Sequence, residues 1–453
     1  MAPKFHVLVI GGGIGGFACA VGLARKGHAV TVLERSASLQ TWGGGLLISS
    51  NALRVIESYG LLGRFQEVAE KWERHVIFRY DGGVLDVLSN AANEKVFGYE
   101  MLNVRRQVYQ RVLYEGAVEQ GVKVRFGCRV EKIDDSEKGP SVMLSTGETL
   151  LADLIVGADG IKSTTRPFIL GGRDVKLQPN STCYQCTIPA SLMLSSPLTA
   201  PLINERAIHS WWGPNTHWIC GRKSNGQSYD AAFFIHPTAS SPLPASHVSA
   251  SNSHDPGKGK DNDRRGDVRE VIDGVQTHGY EERVQAFAKM IPHENCTLWK
   301  VAQLPDLPTW VSESGRIVLL GDAAHAMSPH LGQGAAMTIE DGGVLSECLA
   351  RASSLDDIPR AVKVYEEIQK GRTEKVKRAA GVSGVWKTMA DGPEQRKRDE
   401  GFRKRMESGE KYEFWRASGH LAWIYGWDSK LEVGKELDRV FPVGKGIGQR
   451  ARI

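Results

Sequence analysis

The chain has 453 residues, 41% of them apolar and 24% charged, with a formal net charge of +5. That length exceeds one compact core, so two or three domains are expected, and the composition excludes a disordered chain. The charges are spread along the chain and leave no nucleic-acid footprint. No apolar run has the length of a membrane span and no signal peptide is visible, so a cytoplasmic monomer or homodimer without stable membrane insertion is expected. Seven cysteines at irregular spacing point to reduced thiols.

Residues Phe5 to Ile10 read as a buried strand. Gly11-Gly12-Gly13-Ile14-Gly15-Gly16 follows, then a helix from Phe17 to Lys26, a stop at Gly27, and a second strand from Ala29 to Leu33 that runs into Glu34-Arg35. Strand, G-x-G-x-x-G, helix, strand and acid complete a dinucleotide fingerprint, with Glu34 placed 18 residues beyond Gly16. Gly11 permits the tight turn, Gly13 lets the backbone approach a diphosphate, and Gly16 lets helix and strand pack closely. The N-terminus of that helix presents free N–H groups and a partial positive charge to phosphate. Glu34 can accept from ribose hydroxyls. Which dinucleotide is bound stays open from this unit alone.

Further along, Gly43-Gly44-Gly45-Leu46-Leu47-Ile48-Ser49-Ser50-Asn51-Ala52 is a second glycine-rich segment. In Asn103-Val104-Arg105-Arg106-Gln107-Val108-Tyr109 a solvated helix arginine is the plain structural reading of Arg106, and Val122 to Val130 reads as a strand. Leu154 to Val156 is a strand that leads into Gly157-Ala158-Asp159-Gly160, where an Asx cap is the plain structural reading of Asp159. From Lys176 to Pro237 the pattern turns to short alternating segments, with antiparallel strands expected at 181–188, 206–212, 217–222 and 229–236. Cys183 and Cys186 form C-x-x-C inside one of them, where i and i+3 face opposite sides, and no second C-x-x-C completes a zinc site. No metal site is expected. Residues 238–266 read as a flexible surface insertion. Helices are expected at 281–291, 335–352 and from 358 to about 389, and residues 394–411 are a solvated, densely charged helix face. Between them, Ile317 to Leu320 is a buried strand ending at Gly321-Asp322, Pro329 fixes a turn, and Gly332-Gln333-Gly334 opens a helix at Ala335. Gly444-Lys445-Gly446-Ile447-Gly448 lies too close to the C-terminus to begin a second nucleotide unit.

Taken together, residues 11–16, 43–52, 154–166 and 316–334 resemble the single-component FAD-dependent aromatic hydroxylases, nearest to the salicylate hydroxylase-like branch. The resemblance runs from Val7 to about Glu347 and resumes at Trp423-Ile424-Tyr425-Gly426-Trp427-Asp428. It implies an α/β fold. A Rossmann-like FAD-binding domain (1–75, 101–177, 298–350) is interleaved with a mainly antiparallel substrate domain (76–100, 178–297), and a helical region (351–453) follows. It implies FAD as cofactor, NADPH or NADH as transient reductant, O2 as co-substrate and a small aromatic substrate. The residues it places at FAD are Gly11, Gly13, Ile14, Gly15, Gly16, Glu34, Arg35, Gly45, Arg106, Val130, Asp159, Asp322, Gly334 and Ala335. Asp322 falls to the ribityl chain, Arg106 has Arg105 as its register alternative, and Val130 flanks the adenine through its backbone.

For the substrate side, Gln185, Trp211, Arg222, His236 and Pro329 are the candidates, with Tyr184, His209 and His217 as candidate catalytic groups that can tune or relay a proton. Many relatives carry Tyr-Arg-Gly where this chain has Tyr184-Gln185-Cys186, and Tyr-Pro where it has Gly221-Arg222. Gln185 cannot offer an acidic substrate the charge of an arginine. A neutral aromatic or indole-type natural product therefore fits at least as well as salicylate. The expected activity is hydroxylation, decarboxylative hydroxylation or epoxidation through a C4a-hydroperoxyflavin. A flavin oxidase or dehydrogenase on the same fold, and a non-catalytic FAD-bound interaction protein, are the alternatives.

Overall fold

The computed structural model describes residues 4–40, 43–136, 138–173, 175–237, 265–408 and 420–441. The expected insertion lies outside the described residues except for Arg265 and Gly266, as do Gly444 to Gly448.

Five parallel strands form the first sheet, in the order Ile317–Leu319, Leu154–Gly157, His6–Ile10, Ala29–Leu33, Lys123–Arg125. Four of these are short apolar runs, mostly buried on both faces as a covered parallel sheet demands, and the edge strand Lys123–Arg125 is the half-exposed exception. The helix Ile14–Arg25 crosses the helix Gly334–Arg351 at very short range. A Cβ built on Gly342 would stand 2.9 Å from the Cys19 backbone nitrogen, and one on Gly15 would stand 2.4 Å from the Thr338 side chain. Glycine on both helices thus lets the two backbones meet under the nucleotide turn. The helix starts at Ile14, three residues before its expected start.

Val130 does not end a strand, as expected, but begins one. Only Lys123–Arg125 joins the parallel sheet, and Val130–Ser136 starts a separate three-stranded antiparallel meander with Gly139–Leu144 and Thr149–Leu151. Gly127, at φ +69°, supplies the break. Val130 packs there against Leu8, Ile10 and Leu33.

The second large sheet has seven strands in the order Cys296–Gln303, Gln178–Pro189, Ser228–Ile235, Thr216–Lys223, Ala207–Gly213, Arg74–Arg79, Val84–Ser89. All neighbours are antiparallel except Ala207–Gly213 with Arg74–Arg79. Helices Val268–Thr277 and Glu282–Lys289 cover one face, burying Val271, Val275 and Phe287 against Trp211, Trp218 and Phe233. The other face looks toward the nucleotide turns. A two-stranded ribbon, Gly45–Ile48 with Leu102–Arg105, lies between the two sheets in sequence and carries both Gly45 and the Arg105-Arg106 pair to their meeting edge. The 30-residue helix Ile358–Lys387 follows, and helices Pro393–Ser408, His420–Tyr425 and Ser429–Val440 complete the described C-terminal region. No described helix is long and apolar enough to cross a membrane.

Candidate active site

The first glycine turn separates residues fixed by the protein's own packing from one that is not. Gly11 sits at φ +107°, and a Cβ there would lie 2.4 Å from the Ala158 carbonyl oxygen. A Cβ on Gly16 would lie 1.9 Å from the Gly11 oxygen. Around Gly13, by contrast, nothing lies within 4 Å of that position. Gly13, Ile14 and Gly15 line a cavity of about 620 Å³ between the two large sheets.

Glu34 accepts from the backbone N–H of Gly12 at 2.8 Å and of Ser36 at 2.7 Å, so it braces the turn from the end of its strand. Arg35 beside it is exposed. Gln110 donates to the Gly12 carbonyl at 2.6 Å. That clamp was missed in the sequence, because nothing in the spacing links residues 12 and 110.

Three further observations fit a dinucleotide in this cavity. Asp159 Oδ2 accepts from the backbone and hydroxyl groups of Thr164 and Thr165 at 2.7–3.1 Å, whereas its Oδ1 is buried with no partner among the described residues. The cap reading of Asp159 thus accounts for one oxygen, while the other stays buried beside Ala158 and Gly160, which line the cavity. Gly334 opens an 18-residue helix with nothing within 4 Å of its Cβ position, and Gly334 and Ala335 face the cavity. Asp322 and Arg106, two charges of opposite sign, also line it. The neighbouring Arg105 turns the other way, donating to Ser228 Oγ at 2.8 Å and pairing with Asp230 at 3.5 Å.

Strand parity decides which residues of the seven-stranded sheet reach the cavity. His75, Ile77, Cys183, Gln185, Ser210, Trp212, His217, Ile219, Ala232 and Phe234 do. Their strand neighbours face the covering helices instead, which corrects several expectations. Tyr184 donates to Glu270 at 2.5 Å, and burial followed by that hydrogen bond raises its pKa. His209 meets the Tyr229 hydroxyl at 3.0 Å, and burial lowers it. Trp211 is fully buried with its Nε1 on Glu281. Neither Tyr184 nor His209 can touch a ligand in this cavity, and Trp212, not Trp211, supplies the indole. Arg222 is spent on Glu70 at 2.9 Å. The same parity puts Cys183 on the cavity and Cys186 in the core, 3.6 Å from Cys296.

The polar groups of the cavity gather at one end. His217 Nδ1 lies 3.3 Å from His236 Nε2, and His330, next to Pro329, completes a cluster in which one ring nitrogen of each lies within 4.8 Å of the others. Burial lowers all three imidazoles, with a smaller push from Lys387: His236 falls to about 4 and His330 to about 2. Lys387, at the end of the long helix, is brought to about 8 by burial and donates to the His330 carbonyl. His75, lowered to about 3 by burial and then by Lys387, meets Ser210 Oγ at 2.7 Å. His75, Trp212, His330 and Lys387 were not found by sequence reasoning. Alternation in the strands could have given the first two; His330 and Lys387 come from elements far away in sequence.

An FAD binding domain family model matches residues 4–234 and 272–380. The chain is 28% identical over 432 residues to the FAD-dependent monooxygenase OpS4 of Beauveria bassiana (strain ARSEF 2860), covering 94% of this chain and 95% of that protein. It is 27% identical to the 3-hydroxybenzoate 6-hydroxylase of Polaromonas naphthalenivorans (strain CJ2), covering 93% and 96%. A salicylate hydroxylase substrate complex superposes with a TM-score of 0.76 at 22% identity, covering 96% of this chain and 98% of that one, and shares its fold. With a family match over well more than half its length, and glycine turns built as described, the chain belongs to the FAD-binding-domain family and FAD is its cofactor.

Proposed function

We propose that this protein is an NADPH- or NADH-consuming monooxygenase that inserts one atom of O2 into a neutral aromatic or indole-type compound. One observation carries the reading: a single cavity joins the nucleotide turns at Gly13 and Gly334 to an apolar wall of Ile77, Trp212, Ile219 and Phe234. The names of the relatives, a hydroxybenzoate hydroxylase among them, support it.

In this reading the amides of Ile14 and Gly15 would receive the diphosphate at the helix N-terminus, with Arg106 to offset its charge. Glu34 and Arg35 would serve the adenosine side, and Asp322 would hold the ribityl hydroxyls. Gly334 and Ala335 open a long helix on the cavity, and its N-terminal amides would favour negative charge on a bound flavin. When bound, FAD supplies the redox chemistry that activates O2. The chain's own work is position and dryness. Trp212 and Phe234 hold an aromatic ring in place, and the seven-stranded sheet keeps water off it. His217, buried on the cavity wall, faces a polar group of the substrate. Gln185 and the His75–Ser210 pair orient polar substituents without adding charge, which suits a neutral compound.

The test is NADPH and NADH oxidation by the purified holoenzyme with a panel of phenols, benzoates and indoles under 18O2. The expected result is one compound class that accelerates flavin reduction and yields product carrying one 18O atom. Product without 18O would instead establish an oxidase or dehydrogenase. Flavin that neither nicotinamide reduces would end the monooxygenase reading.

A further inference from the structure

We propose that His217, His236 and His330 form a binding site for a divalent transition-metal ion of the zinc type, in the wall of the cavity. The three imidazoles come from different places in the fold: the strand Thr216–Lys223, the residue after the strand Ser228–Ile235, and the turn Pro329–Leu331. The ring centroids form a nearly equilateral triangle, 5.3 Å for His217–His236, 5.4 Å for His217–His330 and 5.1 Å for His236–His330. A tetrahedral ion with Zn–N bonds of about 2.05 Å holds imidazole centroids about 5.2 Å apart and ligand nitrogens about 3.3 Å apart. The measured His217–His236 nitrogen separation is 3.3 Å.

A second observation points to a ligand. His330 is 95% buried (5% exposed), and its Nδ1 has no hydrogen-bond partner among the described residues. A buried imidazole nitrogen left unpaired costs free energy unless something coordinates it. The ring cannot swing away toward the long helix, because a Cβ built on Gly384 would already be 2.6 Å from its Cδ2. Gly384 thus makes room for His330 where it stands, and Lys387 and Ser383 hold its backbone carbonyl. All-nitrogen donors favour zinc, copper or nickel over magnesium or calcium. Three protein ligands leave a fourth position. Because His217 and His330 line the cavity, that position is reachable by water or by an oxygen or nitrogen atom of a cavity ligand.

The site does not depend on the monooxygenase reading, and its test does not use turnover. Holoenzyme carrying no polyhistidine tag is dialysed against chelator, given one equivalent of Zn2+, passed through a desalting column and analysed for zinc by atomic emission. The expected result is one zinc per chain in the wild type and its loss on the same column in His236→Ala and His330→Ala. The bound flavin spectrum reports that each variant is folded. His236→Gln, at a half-buried position, serves if either alanine variant loses flavin. Zinc that washes off the wild type, or that stays on His236→Gln and His330→Ala alike, overturns the proposal. Binding of Co2+ with ligand-field bands that vanish in the same variants is the second expected result, and bands that persist overturn it equally.

Discussion

His325 and Asp341 meet at 2.6 Å with side chains 2% and 0% exposed, and the pair fixes the turn that carries Asp322. The same Asp341 oxygen accepts the Gly321 backbone N–H at 2.9 Å, and the other oxygen accepts from Gln369 at 2.7 Å. Burial alone would lower the His325 pKa, but the Asp341 charge and hydrogen bond outweigh it and raise it. Asp341→Ala leaves a buried imidazole and a backbone N–H unpaired, so it should cost about 3–5 kcal/mol in urea unfolding. Asp322→Ala removes an exposed side chain, so the apoprotein should unfold within about 0.5 kcal/mol of wild type while flavin content as purified drops sharply. Wild-type flavin content in Asp322→Ala would remove that residue from the site.

Gly13 and Gly16 make opposite predictions from the same motif. A Cβ at 16 collides with the Gly11 carbonyl oxygen, while a Cβ at 13 meets nothing within 4 Å among the described residues. Gly16→Ala should therefore impair folding itself, seen as a lower apoprotein melting temperature. Gly13→Val should leave apoprotein melting near wild type and weaken FAD, read by flavin fluorescence on titration. Tight FAD binding by Gly13→Val would mean that the diphosphate passes elsewhere.

Trp211 and Trp212 are adjacent and do different work. Trp211 fills the core under the covering helices, so Trp211→Ala should cost about 3–5 kcal/mol of stability. Trp212 lines the cavity, and it also stacks edge-on with Phe402. Trp212→Leu should raise KM and uncouple nicotinamide oxidation from product formation, with the larger effect on activity than on melting. Equal activity losses in the two variants, tracking their stability losses, would contradict the parity assignment.

The nucleotide half was legible because its signals are local. The turn at Gly11–Gly16, the strand Ala29–Leu33 and the Gly321-Asp322 turn each occupy a few consecutive residues, and their chemistry is backbone chemistry. The antiparallel strands were legible as strands for the same reason. Their facing was not. Tyr184, His209 and Trp211 are functional-looking residues, but each sits one step out of phase with Gln185, Ser210 and Trp212, and only packing against the helices Val268–Thr277 and Glu282–Lys289 fixes the phase. Arg222 was misread because its partner Glu70 is 152 residues away. The histidine cluster was invisible as a cluster, since residues 217, 236 and 330 meet only when the sheet closes over the turn at Pro329.

His28 and His75 carry a pH dependence whose sign follows from their burial. Their folded pKa values fall to about 4 and about 3, chiefly by desolvation, against an unfolded value of about 6.5. Above pH of about 6.5 both states hold these rings neutral and the two groups add no slope. Below it the unfolded chain takes up a proton that the folded chain refuses, so stability falls as pH drops toward about 4, by up to about 1.4 kcal/mol per pH unit for each ring. His325, raised rather than lowered, acts in the opposite direction: its contribution is full below the unfolded value and is lost as pH rises through the folded one. His28 is the cleaner probe, because both its nitrogens are buried without partners among the described residues and its ring stacks on Phe5 at 5.3 Å. His28→Phe keeps the stack and removes the titration. Urea unfolding of the chelator-treated protein between pH of about 7 and about 5 should show a shallower loss in His28→Phe than in wild type, by about one proton's worth. Parallel curves would show that His28 is already protonated in the folded chain or hydrated in a way that its burial does not predict.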